Sequence, residues 1–120
     1  LAQAMIVTLT GDLGSGKTAF TQAVAKILGV EEIVSSPTFI IEKIYELSKN
    51  SHFTHLIHID AYRLEQGGKE LTHLGWNEIA KDPKNLIMLE WPEKVADIIP
   101  SNAKNISFTF IDTTTRKISW

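Results

Sequence analysis

Residues 11–18 carry the clearest chemical pattern in the chain. They read Gly-Asp-Leu-Gly-Ser-Gly-Lys-Thr and fit the spacing G-x-x-x-x-G-K-[ST] of loops that bind phosphate. Glycine lets the backbone curl until successive amides point into one concavity, where Lys17 adds a positive charge and the Thr18 hydroxyl suits Mg2+. The pattern predicts a nucleotide-binding loop made of Asp12, Leu13, Gly14, Ser15, Gly16, Lys17 and Thr18.

Two acidic residues follow apolar runs that are typical of strands. Asp60 comes after Leu-Ile-His-Ile, and Glu90 comes after Leu-Ile-Met-Leu. Ligand sites of open α/β sheets lie at the carboxyl ends of parallel strands, so we expect both carboxylates near the phosphate loop. One would bind Mg2+ and the other would be a second ligand or a base that orients water, and the sequence leaves these roles interchangeable. In the alternative interpretation, each acid only begins a loop or caps a helix.

Three further side chains near these elements have two interpretations each. Thr38 is a candidate sensor of the γ-phosphate or a simple turn hydroxyl. Trp91 either stacks on a base or fills a partner's pocket, or it packs in the core. His58 alternates with apolar residues, which favours a strand histidine with a satisfied hydrogen bond over a metal ligand.

The elements that must position these residues follow from hydrophobic periodicity. A β-branched run at residues 5–9 precedes the glycines, and apolar residues at helical spacing follow them, so the loop joins a strand to a helix. Residues 86–89 are apolar at every position, as in a central parallel strand. We expect an antiparallel hairpin, a broken helix and a closing hairpin at, respectively, residues 39–59, 69–81 and 106–120. The pattern predicts a three-layer α/β fold with a mostly parallel central sheet and antiparallel edge strands.

Composition narrows the class of protein. The chain has 120 residues, of which 43% are hydrophobic and 22% charged, with a formal net charge of -2 and no cysteine. These values favour one packed domain over residues 1–120 and exclude disulfide frameworks and thiol chemistry. The charge balance disfavours direct binding of nucleic acid, and no apolar run reaches the length of a membrane span. We expect a soluble, cytoplasmic protein.

Taken together, the motifs resemble the TsaE (YjeE) family, the P-loop ATPases of bacterial tRNA threonylcarbamoyladenosine biosynthesis. The phosphate loop alone selects only a superfamily, whereas Ser-Pro-Thr-Phe, His-x-Asp-x-Tyr-Arg and Glu-Trp-Pro are more specific. The segments that carry the resemblance are residues 11–18, 36–39, 58–64, 74–75 and 90–93. Their order and spacing extend over nearly the whole chain.

The resemblance implies a P-loop NTPase fold and an Mg2+-dependent ATPase, weak alone, that acts with the TsaB and TsaD proteins and makes little or no direct tRNA contact. It implies catalytic roles for Lys17, Asp60 and Glu90, and Mg2+ ligands among Thr18, Asp60 and Glu90. Residues 36–38, including Thr38, correspond to a switch-like segment, and Arg116 lies where a basic residue would approach the base of ATP.

Family members usually carry a further strand and helix before the phosphate-loop strand, so we expect the chain to lack that segment and some adenine contacts. Two other functions fit the motifs: a small-molecule kinase, and a binding module that nucleotide switches without significant hydrolysis. A kinase needs an acceptor pocket and usually an arginine-bearing lid, and residues 64–81 contain no arginine.

Overall fold

A computed structural model describes residues 3–12, 14–32 and 42–120. The strands in these ranges are β1 (Met5–Thr10), β2 (Glu42–Glu46), β3 (His55–Asp60), β4 (Asn85–Glu90), β5 (Lys104–Asp112) and β6 (Thr115–Ser119). The helices are α1 (Lys17–Ile27), α2 (Gly68–His73) and α3 (Trp76–Lys81), followed by a 3₁₀-helical segment (Pro92–Ile98).

The strands form one mixed sheet in the order β2-β3-β4-β1-β5-β6. Strands β3, β4, β1 and β5 are parallel, whereas β2 is antiparallel to β3 and β6 is antiparallel to β5. All six residues of β4 are buried, because a central parallel strand is covered on both faces. The predicted parallel centre and antiparallel edges are confirmed.

Helical elements cover both faces of the sheet. One face packs against α1 through Leu9, Ala25, Tyr45, Leu56, Leu86, Met88 and Phe108. The opposite face packs against α2, α3 and the 3₁₀ segment through Ile6, Ile57, Ile59, Leu71, Trp76, Ile87, Leu89 and Val95. This arrangement confirms the predicted three-layer fold. Among the described residues, no helix combines the length and apolar character that crossing a membrane requires.

The local elements of the described residues agree with the periodicity except at one segment, which is 3₁₀-helical. The break expected within residues 69–81 is confirmed at Gly75, whose φ of 91° lies in the left-handed region that favours glycine. The strand expected at residues 39–47 is described only from Glu42 onward, since residues 33–41 lie outside the described ranges. The 3₁₀ segment was not expected from the sequence.

Candidate functional site

The loop between β1 and α1 depends on glycine where it passes β5. Gly11 has a φ of 149°, and a Cβ atom there would lie 2.6 Å from the Phe108 carbonyl oxygen. The Ser15 amide donates to the Asp12 carbonyl at 3.1 Å and closes a turn. The loop therefore packs directly on the neighbouring strand, which a side chain at residue 11 would prevent.

The loop and the first turn of α1 leave hydrogen-bond donors available. Gly16, in the left-handed conformation, precedes α1 and supplies no side-chain cap, and the first turn contains no acidic residue. The first amides of a helix lack partners within it and lie at the positive end of its dipole. Ser15 Oγ is also buried and has no hydrogen-bond partner among the described residues. These features fit a bound anion such as a phosphate.

Lys17 places a buried cation beside these donors. Its Nζ atom donates to the Gly11 carbonyl oxygen at 2.5 Å and lies 3.8 Å from the centre of the Trp91 ring. Burial lowers the pKa of Lys17 below its ordinary value, although the negative charges of Glu90 and Asp60 oppose that shift. A dehydrated ammonium group in this position is well prepared to bind an incoming anion.

The two strand-end acids lie side by side. Asp60 and Glu90 are register partners at the carboxyl ends of β3 and β4, next to the loop. Thr18 Oγ1 is 3.3 Å from Glu90 Oε2 and 3.5 Å from Glu90 Oε1. Asp60 Oδ1 accepts a hydrogen bond from the Tyr62 amide at 3.0 Å, so this acid also begins a loop. The structure thus brings together the acids and the Thr18 hydroxyl that the sequence singled out.

The oxygen atoms of this cluster fit a magnesium ion. Carboxylate and hydroxyl oxygens are the hard ligands that Mg2+ prefers, and the ion usually completes its shell with phosphate oxygens and water. Within residues 3–12, 14–32 and 42–120, no group of three or more His, Cys, Asp or Glu residues is arranged to hold a metal. The carboxylate and hydroxyl oxygens present match the ligands of an ion that completes its shell with phosphate oxygens and water.

His58 lies beneath Glu90 on the adjacent strand. Its ring is fully buried, and its Nε2 atom is 2.5 Å from Glu90 Oε2. The Nδ1 atom has no hydrogen-bond partner among the described residues. The predicted strand histidine is confirmed, with a hydrogen bond at one ring nitrogen. The sequence did not identify Glu90 as its partner.

Two aromatic rings form one wall of the site. Trp91 is the non-glycine residue with positive φ in the described ranges, at 60°, a conformation that costs energy outside glycine. Its ring covers Lys17 and lies 4.9 Å from the Tyr62 ring, centre to centre. Trp91 is half-buried, so it both lines the site and packs against the apolar cluster on the face of α2 and α3. The sequence analysis did not identify Tyr62 as a residue of the site. The signal that could have indicated it is its position two residues after the strand-end acid Asp60.

Arg116 reaches the loop between β1 and α1 from its position on β6. Its Nε atom donates to the Gly14 carbonyl oxygen at 3.0 Å, and its Nη1 atom donates to the Asp112 carbonyl oxygen at 2.7 Å. The guanidinium group also lies 4.5 Å from the centre of the Phe110 ring. Arg116 thus contacts the loop itself, whereas its expected approach to a base remains a prediction.

These groups line one cleft of about 580 Å³. Its lining residues are Gly14, Ser15, Gly16, Lys17, Thr18, Ala19, Asp60, Tyr62, Glu90, Trp91 and Arg116. Asp12 is exposed and contributes its carbonyl to the turn. Leu13 and Thr38 lie outside the described residues. A second cavity, of about 450 Å³, is lined by Gln3, Met5 and Lys104 among others and by no carboxylate.

Sequence and structure comparisons agree on the relatives of this chain. The tRNA threonylcarbamoyladenosine biosynthesis protein TsaE of Bacillus subtilis is 37% identical over 101 residues, which are 84% of this chain and 59% of that protein. The protein of the same name from Borreliella burgdorferi is 35% identical over 105 residues, 88% of this chain and 72% of the relative. The chain thus spans about three fifths to three quarters of these two relatives.

A solved structure supports the same relationship. The crystal structure of Bacillus subtilis YdiB superposes with a TM-score of 0.68 at 25% identity, covering 98% of this chain and 68% of that one. A family model described as threonylcarbamoyl adenosine biosynthesis protein TsaE matches residues 1–118. Since that match extends over nearly the whole chain, the chain belongs to the TsaE family.

Proposed function

We propose that this chain is an Mg2+-dependent ATPase subunit that serves the threonylcarbamoyladenosine modification of tRNA together with TsaB and TsaD. The observation that carries the proposal is the cleft itself, in which Lys17, the open amides of α1, Thr18 and Glu90 converge. The pathway comes from family membership, since relatives with similar sequences are named for threonylcarbamoyladenosine biosynthesis. The partners come from the family resemblance.

The phosphate chain of ATP is the ligand proposed for the loop. The amides at the start of α1 and the unpartnered Ser15 hydroxyl donate to its oxygens, and Lys17 exchanges the Gly11 carbonyl for a phosphate oxygen. An ionised acceptor makes a stronger hydrogen bond with an ammonium group than a carbonyl does. Binding therefore recovers part of the free energy that burial of Lys17 costs.

Thr18 and Glu90 are the proposed magnesium ligands, with Asp60 beside them. Bound Mg2+ supplies charge neutralisation at the phosphates. Asp60, in register with Glu90, is placed either to complete the metal shell or to orient the attacking water. Arg116 holds the loop at Gly14 and faces the same cleft, which suits contact with the nucleotide.

ATP turnover with and without the two partner proteins tests this proposal. Lys17→Ala removes the buried cation of the loop, and Lys26→Ala is a matched control because Lys26 is an exposed lysine in the last turn of the same helix. We expect slow ATP turnover by the wild type alone and faster turnover with TsaB and TsaD. Lys17→Ala should lose turnover under both conditions, whereas Lys26→Ala should retain it. Equal rates for the wild type and Lys17→Ala would remove the ATPase assignment.

The same samples separate the competing functions. Partner binding that requires ATP without any hydrolysis would indicate a nucleotide-switched binding module. Rapid phosphorylation of a metabolite by the isolated chain would indicate a kinase. Turnover that depends on Lys17 and rises with the partners supports the ATPase subunit.

A further inference from the structure

We propose that His58 is a positioning residue that holds the Glu90 carboxylate toward Thr18 and thereby prepares the magnesium site. This inference rests on the proposed function, because it concerns the ion that accompanies the nucleotide. His58 itself is not proposed to touch the metal or the phosphate.

Sheet geometry places the two side chains in contact. His58 is opposite Met88 in the parallel pair of β3 and β4, and Glu90 is two residues beyond Met88 on the same face. Diagonal neighbours of this kind lie within reach of a long side chain and a ring. The resulting contact joins His58 Nε2 to Glu90 Oε2 at 2.5 Å, with both side chains almost entirely buried.

A carboxylate accepts hydrogen bonds and does not donate them, so the ring nitrogen is the donor of this pair. Glu90 Oε2 is thus shared by His58 and the Thr18 hydroxyl, the second of which is 3.3 Å away. A glutamate side chain has several rotatable bonds and loses rotamer freedom when it is held in one orientation. Because His58 holds Glu90 before any ligand arrives, the ion would meet a carboxylate that is already oriented.

Core packing alone gives a weak reason for a histidine here. His58 is fully buried on this face beside two apolar residues, Leu56 two residues back along β3 and Met88 across from it on β4, while its register partner on β2, Lys43, is exposed. A polar ring costs free energy in such surroundings unless it is hydrogen-bonded, and its Nδ1 atom has no partner within the described residues. A leucine would fill the space without that cost. The hydrogen bond to Glu90 is therefore the feature that explains the residue.

Four variants separate positioning from packing. His58→Leu keeps an apolar filling and removes the donor, whereas His58→Gln carries an amide that extends about as far as Nε2. His58→Asn carries the same amide on a shorter side chain and is used if His58→Leu does not fold. Leu56→Val, two residues away on the same face, perturbs the core and leaves the polar partners of Glu90 unchanged.

The measurement is the affinity for ADP by titration calorimetry, once with Mg2+ and once with EDTA, with thermal melting to confirm folding. Loss of a hydrogen bond behind a metal ligand typically weakens metal affinity about 10- to 100-fold. We expect His58→Leu to bind ADP in EDTA with the affinity of the wild type. The factor by which Mg2+ increases the ADP affinity should be about tenfold smaller in this variant. His58→Gln should recover most of that enhancement, and Leu56→Val should retain it.

Full enhancement by Mg2+ in a folded His58→Leu variant, or in His58→Asn, would overturn the positioning role while leaving the nucleotide site in place. An equal loss with Mg2+ and with EDTA would also overturn it, because the defect would then lie in the phosphate loop. If the wild type binds ADP equally with and without Mg2+, the magnesium part of the proposed function is wrong, and the inference fails with it.

Discussion

The two faces of the sheet are buried for different reasons. The face under α2 and α3 packs a continuous apolar cluster that includes Ile57, Ile87 and Leu89. The face under α1 has an apolar cluster too, but at the carboxyl ends of the strands it also buries Lys17, His58 and Glu90, the basic and acidic residues that are buried in the described ranges. Burial of apolar area stabilises the fold, whereas burial of charge costs free energy and indicates a ligand site. Each prediction below tests this contrast.

The largest effect is expected in the apolar face. Ile87→Ala removes a fully buried side chain from the centre of β4 and should lower the free energy of unfolding by about 2–5 kcal/mol, measured by urea denaturation. Ile87→Val, the matched control, should cost only about 0.5–1.5 kcal/mol. ADP affinity of the folded Ile87→Ala variant should match the wild type. A large loss of affinity at unchanged stability would show that the two faces are not separable.

At the carboxyl ends of the strands, where charged side chains are buried, a substitution should reduce ligand affinity and leave stability nearly unchanged. Lys17→Met keeps the length of the side chain and removes its charge, so ADP affinity should fall on the order of a hundredfold, since hydrogen bonds to charged groups contribute about 1.5–3 kcal/mol. The free energy of unfolding without nucleotide should stay within about 1 kcal/mol of the wild type, because the variant no longer dehydrates an ammonium group. Lys26→Met is the control. Severe unfolding of Lys17→Met would contradict this account.

A smaller effect is expected where β6 contacts the loop between β1 and α1. Arg116→Ala removes the hydrogen bond to the Gly14 carbonyl, so ADP affinity should fall about three- to tenfold in titration calorimetry. The adjacent exposed Lys117 offers a matched control in Lys117→Ala, which should bind ADP like the wild type. Equal affinities for the two variants would show that Arg116 does not hold the loop in solution.

The smallest effect should appear in the exposed turn between β5 and β6. Hydrogen bonds from the Thr114 amide and hydroxyl lower the pKa of Asp112 below its ordinary value of 3.8. Its stabilising contribution is present above that ordinary value and is lost as pH falls through the lower value of the folded state.

Hydrogen exchange at the Thr114 amide, followed by NMR spectroscopy from pH 5 down to pH 2, measures this contribution. Relative to the intrinsic rate, protection should decrease with acid in the wild type. In Asp112→Ala, which has no side-chain acceptor for the Thr114 amide, protection should already be low at pH 5 and change little. Identical profiles would show that the carboxylate does not order the turn.

Local patterns were sufficient for much of the fold. The apolar run of β4, the glycine at residue 75 and the loop motif each determine structure through neighbours in the chain, so they were readable in advance. Positions in the cleft were harder to predict from the sequence, because they depend on contacts between distant segments. This holds for Trp91, Tyr62 and Arg116. The Trp91 ring lies over Lys17, although the two residues are 74 positions apart in sequence. Trp91 also has a left-handed backbone conformation, which no sequence pattern predicts.

By itself, the sequence determined the chemistry of the loop and the two strand-end acids, since residue types and short spacings specify which groups are present. Only the tertiary structure decided that Glu90 meets Thr18 on one side and His58 on the other. That arrangement follows from strand order and register, which set the distances between side chains on neighbouring strands. Strand order and register arise from packing of the whole sheet, and so no local segment of the chain contains them.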